Sequence, residues 1–262
     1  MFKILFLGDV VGRPGRKVVK DHLRELQQEF APDLTIVNGE NSAGGIGIDA
    51  ACADEIFTAG AHLITTGNHI WGRKEFIPYL EKNRARVIRP VNYAPGAPGE
   101  GYCTWTSPSG VKVGVLNAMG RIFMGELLDC PFRGVDAALE KLSDCALVFL
   151  DFHAEATSEK IAMARYLDGR VAVQVGTHTH VQTADEQILP NGLAYITDVG
   201  MCGPYGGVIG MGHEAVIQKF ISGRPSRFDV ADGEVVLNGV IVECDEVAGK
   251  ALSISRINRR YG

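Results

Sequence analysis

The chain has 262 residues, of which 46% are hydrophobic and 22% are charged, and this apolar fraction excludes intrinsic disorder because it can fill a large core. The formal net charge of −5 argues against a dedicated duplex-DNA binder, which normally carries a strongly basic face. No run of about 18 apolar residues predicts a membrane span, and the first apolar run is too short for a signal peptide, so we expect a cytoplasmic protein.

Strands and helices alternate in the first part of the chain. Short apolar runs predict strands, and apolar residues at helical spacing predict helices. In chain order these are a strand over 3–7, a helix over 16–30, a strand over 34–37, a helix over about 49–59 and a strand over 62–66. Apolar strands that alternate with helices are typical of a parallel sheet covered on both faces.

Later segments add a second group of strands. Two β-rich runs around the turn from Ser107 to Gly110 predict a hairpin. Strands over 146–150 and 171–175 flank a helix over about 158–167. After Gly212 the runs HEAVIQKFI, FDVADGEVVLNGVIVE and ALSISRI are predicted as strands, with Asp232 and Gly233 as a turn. The change to an all-β pattern predicts one domain over residues 1–262 with two sheets.

The six cysteines are spread along the chain without a C-x-x-C motif. A thiolate zinc site and a thioredoxin-like motif are therefore not supported. Most of the cysteines stand among apolar or small residues, so we expect them to be packed in the core and not paired in disulfides.

Polar side chains follow five of the predicted strands where each strand ends. Ligands of open parallel sheets bind beyond the carboxyl ends of the strands, so we expect these side chains to meet at one edge. Each of them alone is more often a turn residue or a hydrogen-bonded core residue than a metal ligand. Together they form a set of carboxylates, carboxamides and imidazoles that suits Mn, Fe or Zn and is large enough for two ions with one group left over. The eight residues are Asp9, Glu40, Asn41, Asn68, His69, His153, His178 and His180.

The motifs that contain these residues resemble, in their order, those of calcineurin-like metallophosphoesterases. They are GD at 8–9, GEN at 39–41, GNH at 67–69, a lone histidine at 153 and GTHTH at 176–180. Two departures are visible: Val11 stands where the usual D-x-H has histidine, and Gly39-Glu40-Asn41 stands where G-D-x-x-D is usual. Those departures resemble the bacterial YmdB-like branch, whose members are phosphodiesterases that act on 2′,3′-cyclic AMP.

The resemblance implies an α/β fold in which two packed mixed β-sheets are flanked by helices in four layers, α/β/β/α. It also implies two divalent metal ions, Fe or Mn, with Zn as a further option, and a small phosphodiester substrate such as a 2′,3′-cyclic nucleotide. A hydroxide that bridges the ions would attack phosphorus, and His69 would protonate the leaving ribose oxygen. The first ion would be held by Asp9, Asn41 and His180, the second by Asn68, His153 and His178, and Glu40 would bridge them.

Two other functions and several roles stay open at this point. A regulatory module that binds a nucleotide or a protein through an inert metal site fits the same residues, and so does a metal-dependent amidohydrolase on an eight-stranded barrel. The glycine-rich run 201–212 either lines the substrate pocket or connects the sheets tightly. Asp151, Asp185 and Asp198 either accept hydrogen bonds from ligand histidines or cap turns. We expect neither a membrane nor stable duplex DNA as a partner, and the sequence leaves a homo-oligomer open.

Overall fold

The computed structural model describes all 262 residues, and its strands form two mixed sheets. The strands are β1 (Phe2–Leu7), β2 (Asp9–Val10), β3 (Leu34–Asn38), β4 (Leu63–Thr65), β5 (Tyr102–Thr106), β6 (Lys112–Met119), β7 (Leu147–His153), β8 (Val173–Thr177), β9 (Gln187–Ile188), β10 (Ala194–Ile196), β11 (Met201–Pro204), β12 (Val235–Asp245) and β13 (Lys250–Tyr261). The seven-stranded sheet has the order β2-β11-β12-β1-β3-β4, with β13 paired to β12, and the six-stranded sheet has the order β5-β6-β7-β8-β10-β9.

Six α-helices connect these strands, and two short 3₁₀ segments follow β4 at Asn68–Gly72 and Lys74–Phe76. The helices are α1 (Gly12–Phe30), α2 (Ala50–Ala59), α3 (Ile77–Lys82), α4 (Pro131–Lys141), α5 (Thr157–Leu167) and α6 (His213–Ser222). None of them combines the length and hydropathy that a membrane crossing requires.

The alternation of side chains along each strand divides the core into layers. In β1, Leu5 and Leu7 pack with residues of α1 and α2 on one face of the sheet, while Ile4 and Phe6 face the other sheet. The rings of Phe6 and Phe149 lie 5.3 Å apart across the two sheets. On the outer face of the second sheet, α4 and α5 cover a third apolar cluster. The expected fold of two mixed sheets flanked by helices is therefore confirmed, and a closed eight-stranded barrel is excluded.

Parallel strands bring the polar strand ends to one edge. In the first sheet β1, β3 and β4 are parallel, and in the second β6, β7, β8 and β10 are parallel. The predicted hairpin is present as the antiparallel pair β5 and β6. The residues that follow β1, β3, β4, β7 and β8 thus come from both sheets but share one end of the sandwich.

The prediction of strands directly after Gly212 was wrong. His213–Ser222 is the helix α6, and Asp232 and Gly233 precede β12 instead of joining two strands. Apolar residues at 216, 217, 220 and 221 have helical spacing, which the β-branched Val and Ile obscured. Gly223 ends the helix with φ +66°, a left-handed conformation that glycine adopts without strain. The late β-hairpin is β12–β13, and it turns at residues 246–249.

Candidate metal centre

The structure brings all eight predicted polar residues together at this end of the sandwich. Asp9 lies in β2 directly after β1, Glu40 and Asn41 follow β3, Asn68 and His69 open the first 3₁₀ segment after β4, His153 ends β7, and His178 and His180 follow β8. None of the eight lies apart from the others, since each has a side-chain contact within the set.

One half of the cluster is centred on the ring of His153. Its Nε2 atom lies 3.2 Å from Oε1 of Glu40, 3.0 Å from Oδ1 of Asn68 and 3.1 Å from Nδ1 of His178. Ligand atoms of Glu40, His153 and His178 all lie within 4.8 Å of one another. A carboxylate, a carboxamide oxygen and two imidazoles facing one point are a donor set that suits a divalent metal ion.

The other half contains a buried carboxylate oxygen without a partner. Asp9 is completely buried, and its Oδ2 atom accepts a hydrogen bond from the backbone N–H of His178 at 3.2 Å. Its Oδ1 atom has no hydrogen-bond partner and lies 3.9 Å from Nε2 of His180. The amide nitrogen of Asn41 lies 3.0 Å from the same Nε2 atom. A buried carboxylate oxygen without a donor is costly, and a cation between Asp9 and His180 would remove that cost, so the residues fit a metal ion.

His69 lies beside the cluster and is partly open to solvent. Its Nδ1 atom is 2.7 Å from Oδ1 of Asn41 and 3.4 Å from Oε1 of Glu40, and 36% of its side chain is exposed. Its backbone N–H donates to Oε2 of Glu40 at 3.2 Å. The Nε2 atom has no partner within the protein. This ring is therefore anchored through Nδ1, and its Nε2 atom is available to a molecule in the cleft.

Two histidines of the cluster have pKa values that are shifted in opposite directions. Burial lowers the pKa of His153, but the carboxylate of Glu40 outweighs it and raises that pKa to about 9. Burial would raise the pKa of Glu40, yet His153 and His69 hold it well below its ordinary value. Burial and the neighbouring His153 lower the pKa of His178 to about 3, which keeps its ring neutral and able to ligate a metal.

A chain of hydrogen bonds orients the ring of His153. Its Nδ1 atom lies 2.8 Å from the hydroxyl of Thr177, which donates its own proton to Oδ1 of Asp151 at 2.7 Å. Thr65 donates to the other oxygen of Asp151 at 2.6 Å. Because the hydroxyl proton of Thr177 is used, Nδ1 of His153 donates, and a neutral ring then points its lone pair on Nε2 at the cluster. Asp151 therefore acts on His153 through Thr177.

The turn that carries the last two histidines is backbone-strained and held by a buried ion pair. His178 has φ +101° and His180 has φ +66°, which are left-handed values that side chains other than glycine rarely adopt. Oδ2 of Asp198 accepts from the backbone N–H of Thr179 at 3.1 Å and from Nζ of Lys160 at 2.8 Å. Asp198 thus holds the turn between the histidines, whereas Asp185 bonds to Thr183 and Thr197 and no site histidine.

Gly67, directly before Asn68, is required by close packing. A Cβ atom at this position would lie 2.2 Å from Oε2 of Glu40 and 2.4 Å from the ring of His153. The glycine of the G-N-H motif therefore lets the chain after β4 approach both side chains.

Two residues that contact the cluster, or the buried carboxylate that holds the turn between its histidines, were not identified from the sequence. Lys160 is completely buried, and it shares the inner face of α5 with Met163, Ala164 and Leu167, a spacing that could have identified it. Glu155 lies beside the site, with Oε2 3.1 Å from Nε2 of His178, and stands two residues after His153 in the DFHAE run.

The glycine-rich run 201–212 lines the cleft beside the cluster and does not connect the two sheets. Its first residues form β11 within the seven-stranded sheet, so it does not connect the two sheets. Ile209 and Met211 line the cleft beside the cluster, and the carbonyl of Ile209 lies 2.9 Å from Nδ1 of His180.

Known proteins resemble the whole chain. A model of the family described as YmdB-like protein matches residues 5–257. Over 256 residues the chain is 46% identical to a 2′,3′-cyclic-nucleotide 2′-phosphodiesterase from Bacillus subtilis (strain 168), and the match covers 97% of this chain and 96% of that protein.

Two solved structures are also similar to the chain over nearly its full length. A hypothetical protein from Thermus thermophilus superposes with a TM-score of 0.93 and 40% identity, and all of both chains is covered. A novel phosphatase from Mycoplasma pneumoniae has a TM-score of 0.93 and 37% identity over 99% of this chain and 93% of its own.

Proposed function

The chain belongs to the family of YmdB-like proteins, and from this premise we propose that it is a dinuclear-metal phosphodiesterase that hydrolyses small 2′,3′-cyclic nucleotides such as 2′,3′-cyclic AMP. The family resemblance of its motifs is confirmed, as is the broader class of phosphodiesterase or phosphatase enzymes. The observation that carries the finer proposal is the buried, unpartnered Oδ1 atom of Asp9 beside a second group of metal-type donors.

The proposal assigns two ions to the two halves of the cluster. The first would be held by Asp9, Asn41 and His180, the second by Asn68, His153 and His178, and Glu40 would serve both. The 3.9 Å separation between Asp9 Oδ1 and His180 Nε2 supports the first group, and the contacts of His153 Nε2 support the second. The mixed oxygen and nitrogen donors, without a thiolate, favour Fe or Mn, with Zn as a further option.

When bound, the two ions supply a nucleophile at neutral pH and neutralise charge on the phosphate. The chain supplies the proton that leaves with the product. His69 is anchored by Asn41 and Glu40 at Nδ1, so its Nε2 atom is free to protonate a leaving ribose oxygen. Burial lowers the pKa of His69, but the hydrogen bond and charge of Glu40 raise it above its ordinary value, which favours an acid.

The two ions and the substrate are tested together by one experiment. Elemental analysis of the purified protein is combined with identification of the product formed from 2′,3′-cyclic AMP. We expect about two ions per chain and a single nucleotide monophosphate. Metal-replete protein that binds the nucleotide but hydrolyses neither 2′,3′-cyclic AMP nor bis-p-nitrophenyl phosphate would instead be a regulatory module.

Three broader predictions accompany this proposal. We propose that residues 1–262 form one domain, since the apolar cluster between the sheets is built from both of them. A cytoplasmic location and the absence of membrane and duplex-DNA partners stay predictions from composition.

The metal-dependent amidohydrolase is set aside, because its barrel is excluded and the similar proteins are named as phosphodiesterase and phosphatase.

A further inference from the structure

A cleft of about 370 Å³ lies beside the cluster and has two chemically different walls. One wall is polar and includes Glu40, Asn41 and the three histidines His69, His178 and His180. The other, which we call the apolar wall, consists of Ile46, Ile209, Met211 and Phe228. The size is within the range of small-molecule sites. The polar wall belongs to the site described above, whereas the four side chains of the apolar wall have no role in it.

The apolar wall comes from two loops that pack against each other. Ile46 lies in the loop after β3, and the other three residues lie in the excursion of residues 205–234, which connects β11 to β12. A Cβ atom on Gly45, with φ +91°, would lie 2.6 Å from Cε of Met211, so the loops touch at this glycine. Despite this packing, 54% of Ile46 and 49% of Ile209 are exposed. Apolar side chains are thus held in contact with solvent at the edge of the cleft.

Backbone strain occurs in the same wall. Ile209 has φ +46°, a value that is a genuine outlier for a β-branched residue. Its carbonyl oxygen accepts a hydrogen bond from Nδ1 of His180 at 2.9 Å. Strained residues of this kind persist where the surrounding structure holds them, and they are concentrated at ligand sites. The bond to His180 fixes the position of the apolar wall relative to the cluster.

The side chains of the apolar wall indicate which part of a ligand they can contact. Its four side chains carry no N–H or O–H group, so they can pack against a flat surface but cannot read the hydrogen-bonding edge of a base. Phe228 offers an aromatic ring, and Nζ of Lys219 lies 5.0 Å from its centroid. Stacking of a base on an aromatic ring is tolerant of base identity, because every base has a π-face.

On the basis of the phosphodiesterase activity proposed above, we infer that the apolar wall is the subsite for the base of a nucleotide substrate. The base packs on Phe228, Met211 and the two isoleucines while the phosphate lies at the polar wall. The subsite therefore distinguishes nucleotides from phosphodiesters without a base, and it distinguishes poorly among the four bases.

The test compares substrates that differ only in the base. The kcat and KM of the metal-loaded enzyme are measured on the 2′,3′-cyclic phosphates of adenosine, guanosine, cytidine and uridine, and on ribose 2′,3′-cyclic phosphate. The wild-type enzyme is expected to prefer each nucleotide over the ribose compound by about tenfold or more in kcat/KM, the range that one stacked base supports. Phe228→Ala is expected to remove most of this preference through KM, with little change in kcat.

A matched substitution and the ribose compound keep the inference separate from the proposed function. Phe220→Ala removes the same side chain from the same excursion, where 82% of it is exposed and it lies outside the cleft, and should change nothing. Equal kcat/KM on ribose and nucleotide compounds in the wild type, or an equal loss on both in Phe228→Ala, would overturn the base subsite and leave the phosphodiesterase standing. Metal-loaded wild-type enzyme that hydrolyses none of the five compounds would overturn the proposed function itself.

Discussion

The carboxylate of Asp9 and the backbone of His178 are joined by a hydrogen bond of 3.2 Å that uses only one of the two carboxylate oxygens. The second oxygen is buried without a donor and lies toward His180. Burial accordingly raises the pKa of Asp9, since the fold disfavours its charged form. In the protein chain alone this residue opposes stability, and a cation bound at the second oxygen would reverse that effect.

We therefore expect Asp9→Asn to have opposite effects on the metal-free and metal-loaded protein. Removing the buried charge should raise the free energy of unfolding of the metal-free protein by about 1–3 kcal/mol, whereas the variant should bind less metal and gain little stability from it. Urea unfolding with and without chelator measures both effects. Asp232→Asn, at an exposed residue without a side-chain partner, is the control. Lower stability of the metal-free variant would contradict this account of Asp9.

His69→Ala is expected to retain metal and to lose turnover in a way that depends on the leaving group. The loss on 2′,3′-cyclic AMP should be about 10²–10⁴-fold, because the ribose oxygen needs a proton, and it should be much smaller on bis-p-nitrophenyl phosphate. His22→Ala, in α1 and outside the site, should leave both activities unchanged.

The pH profile offers a second measurement of the same role. Because the net effect of Glu40 is to raise the pKa of His69, the acid form persists above pH 6.5, and kcat should fall as the pH rises through the raised value. This limb of the profile should be absent in His69→Ala. An equal loss on both leaving groups would argue against the acid role.

Gly67→Ala should disturb the site without removing any ligand. The new Cβ atom would meet Glu40 and His153 at 2.2 and 2.4 Å, so at least one of these side chains must move. Displacement of that size typically reduces activity by about 10²-fold or more. Activity and metal content are compared with those of Gly206→Ala, where the nearest atom lies 4.0 Å away. Full activity in Gly67→Ala would show that the close approach is not needed.

Lys160→Met should destabilise the protein by about 3–5 kcal/mol, because it leaves Asp198 buried and unpaired. Both side chains of this pair are fully buried, and their charged atoms lie 2.8 Å apart. Arg259→Ala breaks a pair of the same length with Glu29 that is about half exposed, and it should change the free energy of unfolding by about 1 kcal/mol or less. The free energy of unfolding of both variants is measured in urea. Similar losses in the two variants would contradict the conclusion that Lys160 compensates a buried charge on Asp198.

Much of the fold was predictable because its signals are local. The apolar strands over 3–7 and 34–37 and the turn at Ser107 to Gly110 correspond to β1, β3 and the β5–β6 hairpin. The convergence of the eight polar residues was predictable because parallel strands end at a common edge, so Asp9 and His178 meet although 169 residues separate them. All six cysteines are free, and four of them are buried, in agreement with the expected core packing.

What escaped prediction depends on contacts that a linear pattern does not contain. In α6 the apolar residues have helical spacing, but its β-branched Val and Ile residues favour a strand, and only Val216 is buried in the folded chain. Lys160 has the helical spacing of a core residue, but the carboxylate that pairs with its buried charge belongs to Asp198, 38 residues further along the chain. The hydrogen bond from His180 to Ile209 depends equally on a loop conformation that only the folded chain reveals.

The excursion of residues 205–234 leaves and re-enters the seven-stranded sheet at one point, where the backbone N–H of Tyr205 donates to the carbonyl of Glu234 at 2.8 Å. Both ends are thus clamped by neighbouring strands, and the excursion supplies none of the eight polar residues of the cluster. Substitutions within this segment can therefore change the apolar wall without replacing any of the eight polar residues, provided that the carbonyl of Ile209 keeps its hydrogen bond to His180.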